Sequence, residues 1–285
     1  MNLRKLLRLY DQGHRDFAGA DLCGADLRGI ILMGVNLKGA NLRGANLTKS
    51  FLIKSDLSGA QMNWANLSFA KLSEAKLLET DLTKANLSGC FMVKSLLPGA
   101  KLSGAELIGA NLRGANLWGA NLSAAQLERI NLRDANLMGV NFKWANLSEA
   151  RLIGAKLYGS SLNFANLSRA WLKGLDLGGF NLEGVNLRKA KLSGATLEGA
   201  NLAGANLTEA QLDRVNLQGA DLTGSQLTRA SLVDANLTWA ILRKAELTGT
   251  NLRGTKLEGA DFKDIRVSDG LESELSDRFL YPAAV

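Results

Sequence analysis

Every fifth residue from Phe17 to Val267 is large and apolar, with no insertion or slip in the register. Of these 51 centres 45 are Leu, the others being Phe17, Met62, Met92, Phe142, Phe262 and Val267. Two residues before the centre stands Ala in 32 cases, one before it Asn or Asp in 28, and two after it Gly in 27. The unit is Ala-Asn/Asp-Leu-x-x. A period of five fits neither an amphipathic helix nor a long alternating strand. It fits a chain that runs extended for three residues and then turns. In such a unit Ala and Leu, two apart, share the inner side and Asn/Asp faces outward. The last two residues form a corner, where Gly relieves the backbone. A single unit cannot bury its Leu. Stacked coils can, which is the logic of a solenoid.

The phrases ADLCGADLRG, ANLRGANL and ANLTEAQL resemble the pentapeptide-repeat family over about nine-tenths of the chain. The resemblance implies an all-β fold, a right-handed quadrilateral parallel β-helix (a pentapeptide-repeat solenoid) with four units per coil. Residues 20 apart would then stack at roughly 4.8 Å in a rod on the order of 60 Å long. Volume offers a check on that coil length. Oversized residues at the Ala position have small neighbours 20 residues away on both sides: Phe180 has Ser160 and Ala200, Leu175 has Ala155 and Ala195, Ile130 has Ala110 and Ala150, and Cys90 has Ala70 and Ala110.

The unbroken register predicts three segments: an N-terminal capping helix in 1–13, the β-helix over 14–267, and a C-terminal helix or tail over 268–285. Leu3, Leu6, Leu7 and Tyr10 lie on one helical stripe, with Asn2 as N-cap and Gly13 as stop. Ser268 or Asp269 would cap a second helix carrying Leu271, Leu275 and Phe279, which Pro282 ends. That helix reads first as a lid over the last coil and otherwise as a homodimer contact.

Cys90 is expected to point inward and Cys23 outward, so they do not pair, and a reducing compartment follows. The N-terminus lacks an apolar signal core, and no stretch approaches a membrane span. These features suggest a cytoplasmic protein with no membrane partner.

Nothing indicates catalysis. His14 is the only histidine, no His/Cys cluster has metal spacing, and Gly-x-Gly matches follow trivially from glycine at a fixed phase. No catalytic, cofactor-binding or metal-binding residue is assigned, and a convex column offers no natural pocket for a small-molecule substrate.

The outward residues are more informative. One side carries Leu78, Pro98, Trp118, Met138 and Tyr158, 20 apart on successive coils, which would make an exposed apolar stripe. A second side carries Ile31, Met33, Phe51, Ile53, Phe91 and Val93, interrupted by Lys71 and Ser73. Further along, that side becomes basic, with Arg113, Arg133, Arg151, Lys173 and Lys191 around Trp171. It holds ten Lys/Arg against four acids, a difference of +6 out of the formal net charge of +7. An acidic partner follows. A third side alternates Arg129, Glu149, Arg169, Lys189, Glu209 and Arg229, a solvated ladder. The fourth carries Trp64, and Trp144 next to Phe164.

These readings lead to a non-catalytic protein-interaction scaffold or regulatory adaptor. The N-terminal phrase LLRLYDQGHRDFAGADLCGADLRG is similar to cyanobacterial members of the family, which supports the adaptor. Two alternatives carry less. Some family members mimic duplex DNA and modulate DNA gyrase through an acidic surface, whereas this chain has a pI near 9.5. Direct nucleic-acid binding would use the basic side, but its cations are spread thinly with one Trp.

Overall fold

The structure is a computed structural model, and residues 1 and 3–267 are described. The expected N-cap Asn2 and the whole expected C-terminal helix, Ser268 to Pro282, fall outside the described residues. The chain divides into two compact units, Met1–Asn166 and Leu167–Val285.

Within each unit the five-residue period becomes a parallel β-helix. Each bridge joins a single residue of one pentapeptide, in parallel, to the residue 20 further on. In the first unit one column of bridges includes Asp16↔Asn36, Asn36↔Asp56, Asp56↔Lys76, Lys76↔Leu96 and Leu96↔Asn116. Three more columns start from Asp21, Asp26 and Ile31. In the second unit the columns start from Trp171, Asp176, Asn181 and Asn186. A coil is therefore four units of five residues, each extended too briefly for a longer strand.

The consensus follows from where the five backbone N–H groups of a unit go. In the unit centred on Leu37, Asn36 donates to Arg15 O (2.7 Å) in the preceding coil. Leu37 and Gly39 donate to Asp56 O (2.7 Å) and Ser58 O (3.0 Å) in the following coil. Ala40 N–H closes the turn on Leu37 O at 3.1 Å. That leaves Lys38, whose N–H donates to the Asn36 side-chain Oδ1 at 3.1 Å. Asn or Asp is favoured before the centre because its short side chain reaches the one donor that no backbone carbonyl takes. The amide Nδ2 can also bond along the column, as from Asn136 to Asn116 Oδ1 at 3.0 Å.

The corner residue requires positive φ. All fifty corners from position 19 to 264 have it: 27 are Gly, and the other 23 are non-Gly residues with φ of 54–60°. The turn demands the left-handed conformation whether or not glycine is present. Bulky corners are sometimes accommodated by a bare corner one coil on. The Phe69 ring lies where a Cβ at Gly89 would come within 2.6 Å of it, and Trp239 covers Gly259 in the same way.

Inside, the Leu centres are nearly all buried, with Phe142 the largest fully buried side chain. Leu175, Ile130 and Cys90 are also buried. Phe180, at the same position in the unit, is only half-buried. Several buried hydroxyls at the Ala position find carbonyls, as from Thr80 Oγ1 to Leu57 O at 2.9 Å, whereas those of Ser50 and Ser225 have no hydrogen-bond partner.

Helix α1 spans Leu3–Asp11. It ends in a Schellman pattern, with Gly13 N–H donating to Tyr10 O (2.9 Å), His14 N–H to Leu9 O (3.0 Å), and Gly13 at φ 91°. Leu6 is fully buried. Leu3, Leu7 and Tyr10 line a cleft of about 460 Å³ with Leu27, Ile30 and Ile31 of the first coil.

Two measurements test this packing. Leu117→Ala should cost about 2–5 kcal/mol by cavity formation, whereas Gly109→Val should cost about 1–2 kcal/mol through left-handed strain. Urea unfolding should therefore show the larger midpoint shift for Leu117→Ala. A thiol reagent should label Cys23, which is exposed, in the folded protein. Cys90 should react only in denaturant, because burial pushes its thiol up to about 12.

Candidate interaction surfaces

In the first unit, backbone bonds fix the apolar stripe residue by residue. Glu79 N–H donates to Pro98 O, Gly99 N–H to Trp118 O and Gly119 N–H to Met138 O, each at 2.9 Å, and Gly139 N–H donates to Tyr158 O at 3.0 Å. Five successive coils therefore place Leu78, Pro98, Trp118, Met138 and Tyr158 in one column. Leu78, Trp118 and Tyr158 are exposed, at 38, 58 and 81%. Pro98 and Met138 are half-buried, as shorter or more pliable side chains settle between bulkier neighbours.

The second patch, also in the first unit, is less continuous than its sequence suggests. Ile31, Met33 and Phe91 are exposed, while Phe51, Ile53 and Val93 are half-buried. Lys71 does more than interrupt the row: its Nζ sits 4.6 Å from the centroid of the Phe51 ring and covers it. Arg113, Arg133 and Arg151 belong to the same column set, but they do not form a uniform positive field. Arg113 Nε meets Asp134 at 3.5 Å, and Lys54 meets Glu74 at 3.8 Å. Arg133 is half-buried, and its Nε is enclosed with no hydrogen-bond partner. Arg151 is exposed.

Trp171, Lys173 and Lys191 stand in the second unit. Trp171 is 39% exposed, with Lys191 Nζ 3.4 Å from its ring centroid. Lys173 is exposed. The solvated ladder is visible here as the Lys189–Glu209 pair at 3.0 Å. Hydrogen bonding from Lys189 holds the Glu209 carboxyl below its usual value, and Arg188 adds to this. On the remaining face of the first unit, Trp144 and Phe164 stack with centroids 6.5 Å apart and an interplanar angle of 10°.

Exposed Phe69, Leu96, Trp239 and Ile241 are absent from the sequence-derived set. Leu96 occupies the outward position two before Pro98 and widens the stripe, a signal visible once the columns are laid side by side. His14 is exposed, with Nδ1 3.2 Å from Leu9 O. Among the described residues, no group of three His, Cys, Asp or Glu is placed to hold a metal ion. No described helix is long and apolar enough to cross a membrane.

Eight copies of the model for pentapeptide repeats match the chain, at residues 16–48, 30–68, 60–99, 100–139, 135–174, 165–202, 190–229 and 230–269. The chain belongs to the pentapeptide repeat family. Among solved structures of that family, it is 32% identical to HetL, a protein involved in heterocyst differentiation regulation from the cyanobacterium Nostoc sp. strain PCC 7120, over 95% of this chain and 98% of HetL, with a TM-score of 0.38. It is 33% identical to a pentapeptide repeat protein of the Arabidopsis thaliana thylakoid lumen, over 33% of this chain and 65% of that one, with a TM-score of 0.32. It is 19% identical to QnrB1, a plasmid-mediated fluoroquinolone resistance protein, over 79% of this chain and 94% of that one, with a TM-score of 0.32. No curated protein sequence matches the chain.

For this pentapeptide repeat protein all five tryptophans (Trp64, Trp118, Trp144, Trp171 and Trp239) lie at the surface. Iodide should therefore quench nearly all of its tryptophan emission in the folded state. A large shielded fraction would contradict the outward placement of these columns.

Proposed function

We propose that this pentapeptide repeat protein is a non-catalytic scaffold or regulatory adaptor that binds another protein through its outward columns. In this reading the four units of each coil form a right-handed quadrilateral column, and α1 caps its first turn. The recognition surface is the stripe of the first unit, and Ile31, Phe91, Arg113 and Arg151 supply a second contact to an acidic surface.

The observation that carries the reading is the fixed alignment of Leu78, Trp118 and Tyr158 at 38, 58 and 81% exposure. Soluble proteins seldom align large apolar side chains at the surface without a use for them. Tryptophan, tyrosine and arginine are also the usual anchors of protein interfaces. The surroundings of these side chains are a closed backbone hydrogen-bond network and a Leu-filled interior, which suit binding better than bond-making chemistry.

Affinity capture with the wild-type chain, Trp118→Ser and the Phe51→Ser/Phe91→Ser pair tests the proposal. An anchor worth about 2 kcal/mol or more should lower partner recovery by at least about tenfold when removed. All these side chains are outside the core, so circular dichroism should remain unchanged. Undiminished recovery with every variant would reject these faces.

A further inference from the structure

The stripe of the first unit is bordered by a row of bare corners. Gly99, Gly119, Gly139 and Gly159 fill the adjoining column, with φ of 65–71°. A Cβ on Gly119 would meet nothing within 4 Å, and one on Gly139 or Gly159 would meet only the backbone of the glycine one coil earlier. Trp118 and Tyr158 thus form a ridge beside a smooth shelf. Lysines stand on both sides: Lys76 and Lys156 next to the ridge, and Lys101 and Lys143 beyond the shelf. All four are exposed, and among the described residues none belongs to an ion pair. The acids Glu79 and Asp81 lie at the Leu78 end, and Asp56, one coil before Lys76 in its column, is paired with Lys38.

Three physical arguments select the occupant. The corner N–H groups of Gly99, Gly119 and Gly139 are already bonded to the next coil, so no sheet edge is open to an added strand. The apolar strip spans five coils, about 20 Å at strand spacing, and is about one side chain wide. That is a few hundred Å², well short of the roughly 800 Å² per partner typical of a stable dimer. Its length matches about 13 residues of α-helix at 1.5 Å per residue. Unpaired lysines on both sides favour carboxylates on both flanks of whatever lies between them.

We propose that ridge and shelf dock an amphipathic α-helix from a partner protein, about three to four turns long, apolar on one face and acidic on both flanks. This rests on the scaffold reading above and specifies the partner's chemistry. The helix lies along the column, its apolar face against Trp118, Met138 and Tyr158 and its backbone close over the glycines. Its carboxylates reach Lys101 and Lys143 on one side and Lys156 on the other.

The test uses the full chain and a labelled 16-residue helical peptide with Leu at i, i+3, i+4 and i+7 and Glu on both flanks, read by fluorescence anisotropy. The expected Kd is on the order of 10 µM for so small an interface. Trp118→Ser and the Lys101→Glu/Lys156→Glu pair should each weaken binding by at least about tenfold, whereas Trp64→Ser, at an exposed corner outside both contact faces, should leave it unchanged. Replacing the peptide's Glu by Lys, or breaking its helix with two prolines, should have an effect of similar size. Equal binding of the Lys peptide or of the proline peptide, indifference to both stripe variants, or binding only to phosphatidylglycerol vesicles would overturn the proposal. A photo-crosslinker at position 118, used in lysate of the source cells, separates the two readings. Protein captured there while the Glu peptide fails to bind would overturn the acidic helix and leave the scaffold standing. Neither capture nor binding would overturn both.

Discussion

Each pentapeptide has five backbone donors, and only three of them can bond along the stack. The fourth closes the turn, and the fifth takes a side-chain acceptor two residues back where Asn or Asp stands there. Asn36 and Lys38 show the solution, and it recurs from Asp16 to Asp261. The rest of the architecture depends on this arrangement. It holds the coil at 20 residues, places the Leu centres over one another, and leaves two positions per unit free of structural duty.

The corner illustrates how permissive those positions are. A non-Gly residue with left-handed φ is strained by about 1–2 kcal/mol. Glycine avoids that strain but loses about 0.5–1 kcal/mol more conformational entropy on folding. The second cost offsets part of the first. This accounts for 23 non-Gly corners alongside 27 glycines in one regular structure, and it makes the choice at each corner available to surface chemistry.

The columns were legible in the sequence because their spacing is set by backbone geometry, not by side-chain detail. Trp118 and Met138 lie on adjacent coils, Cys90 faces inward and Cys23 outward, and Gly13 ends the helix, all as the pattern suggests. What the pattern could not show depends on where long side chains settle. Lys71 bends over Phe51, Arg113 reaches Asp134, and Met138 sinks between its neighbours, so the apolar and basic faces are more broken than a residue count implies. Phe180 has small residues 20 positions away on both sides and is still only half-buried. The pairs Phe69 over Gly89 and Trp239 over Gly259 are a signal that could have been read, since in both of them glycine stands 20 residues after the aromatic corner.

A ladder with one residue per rung has a further consequence for how such a surface can change. Within a unit, a substitution at Trp118 or Lys101 alters one point on a grid of fixed pitch and leaves the inner leucines untouched. The fold thus separates foldability from surface chemistry, so the outer face can change one point at a time without passing through unfolded intermediates.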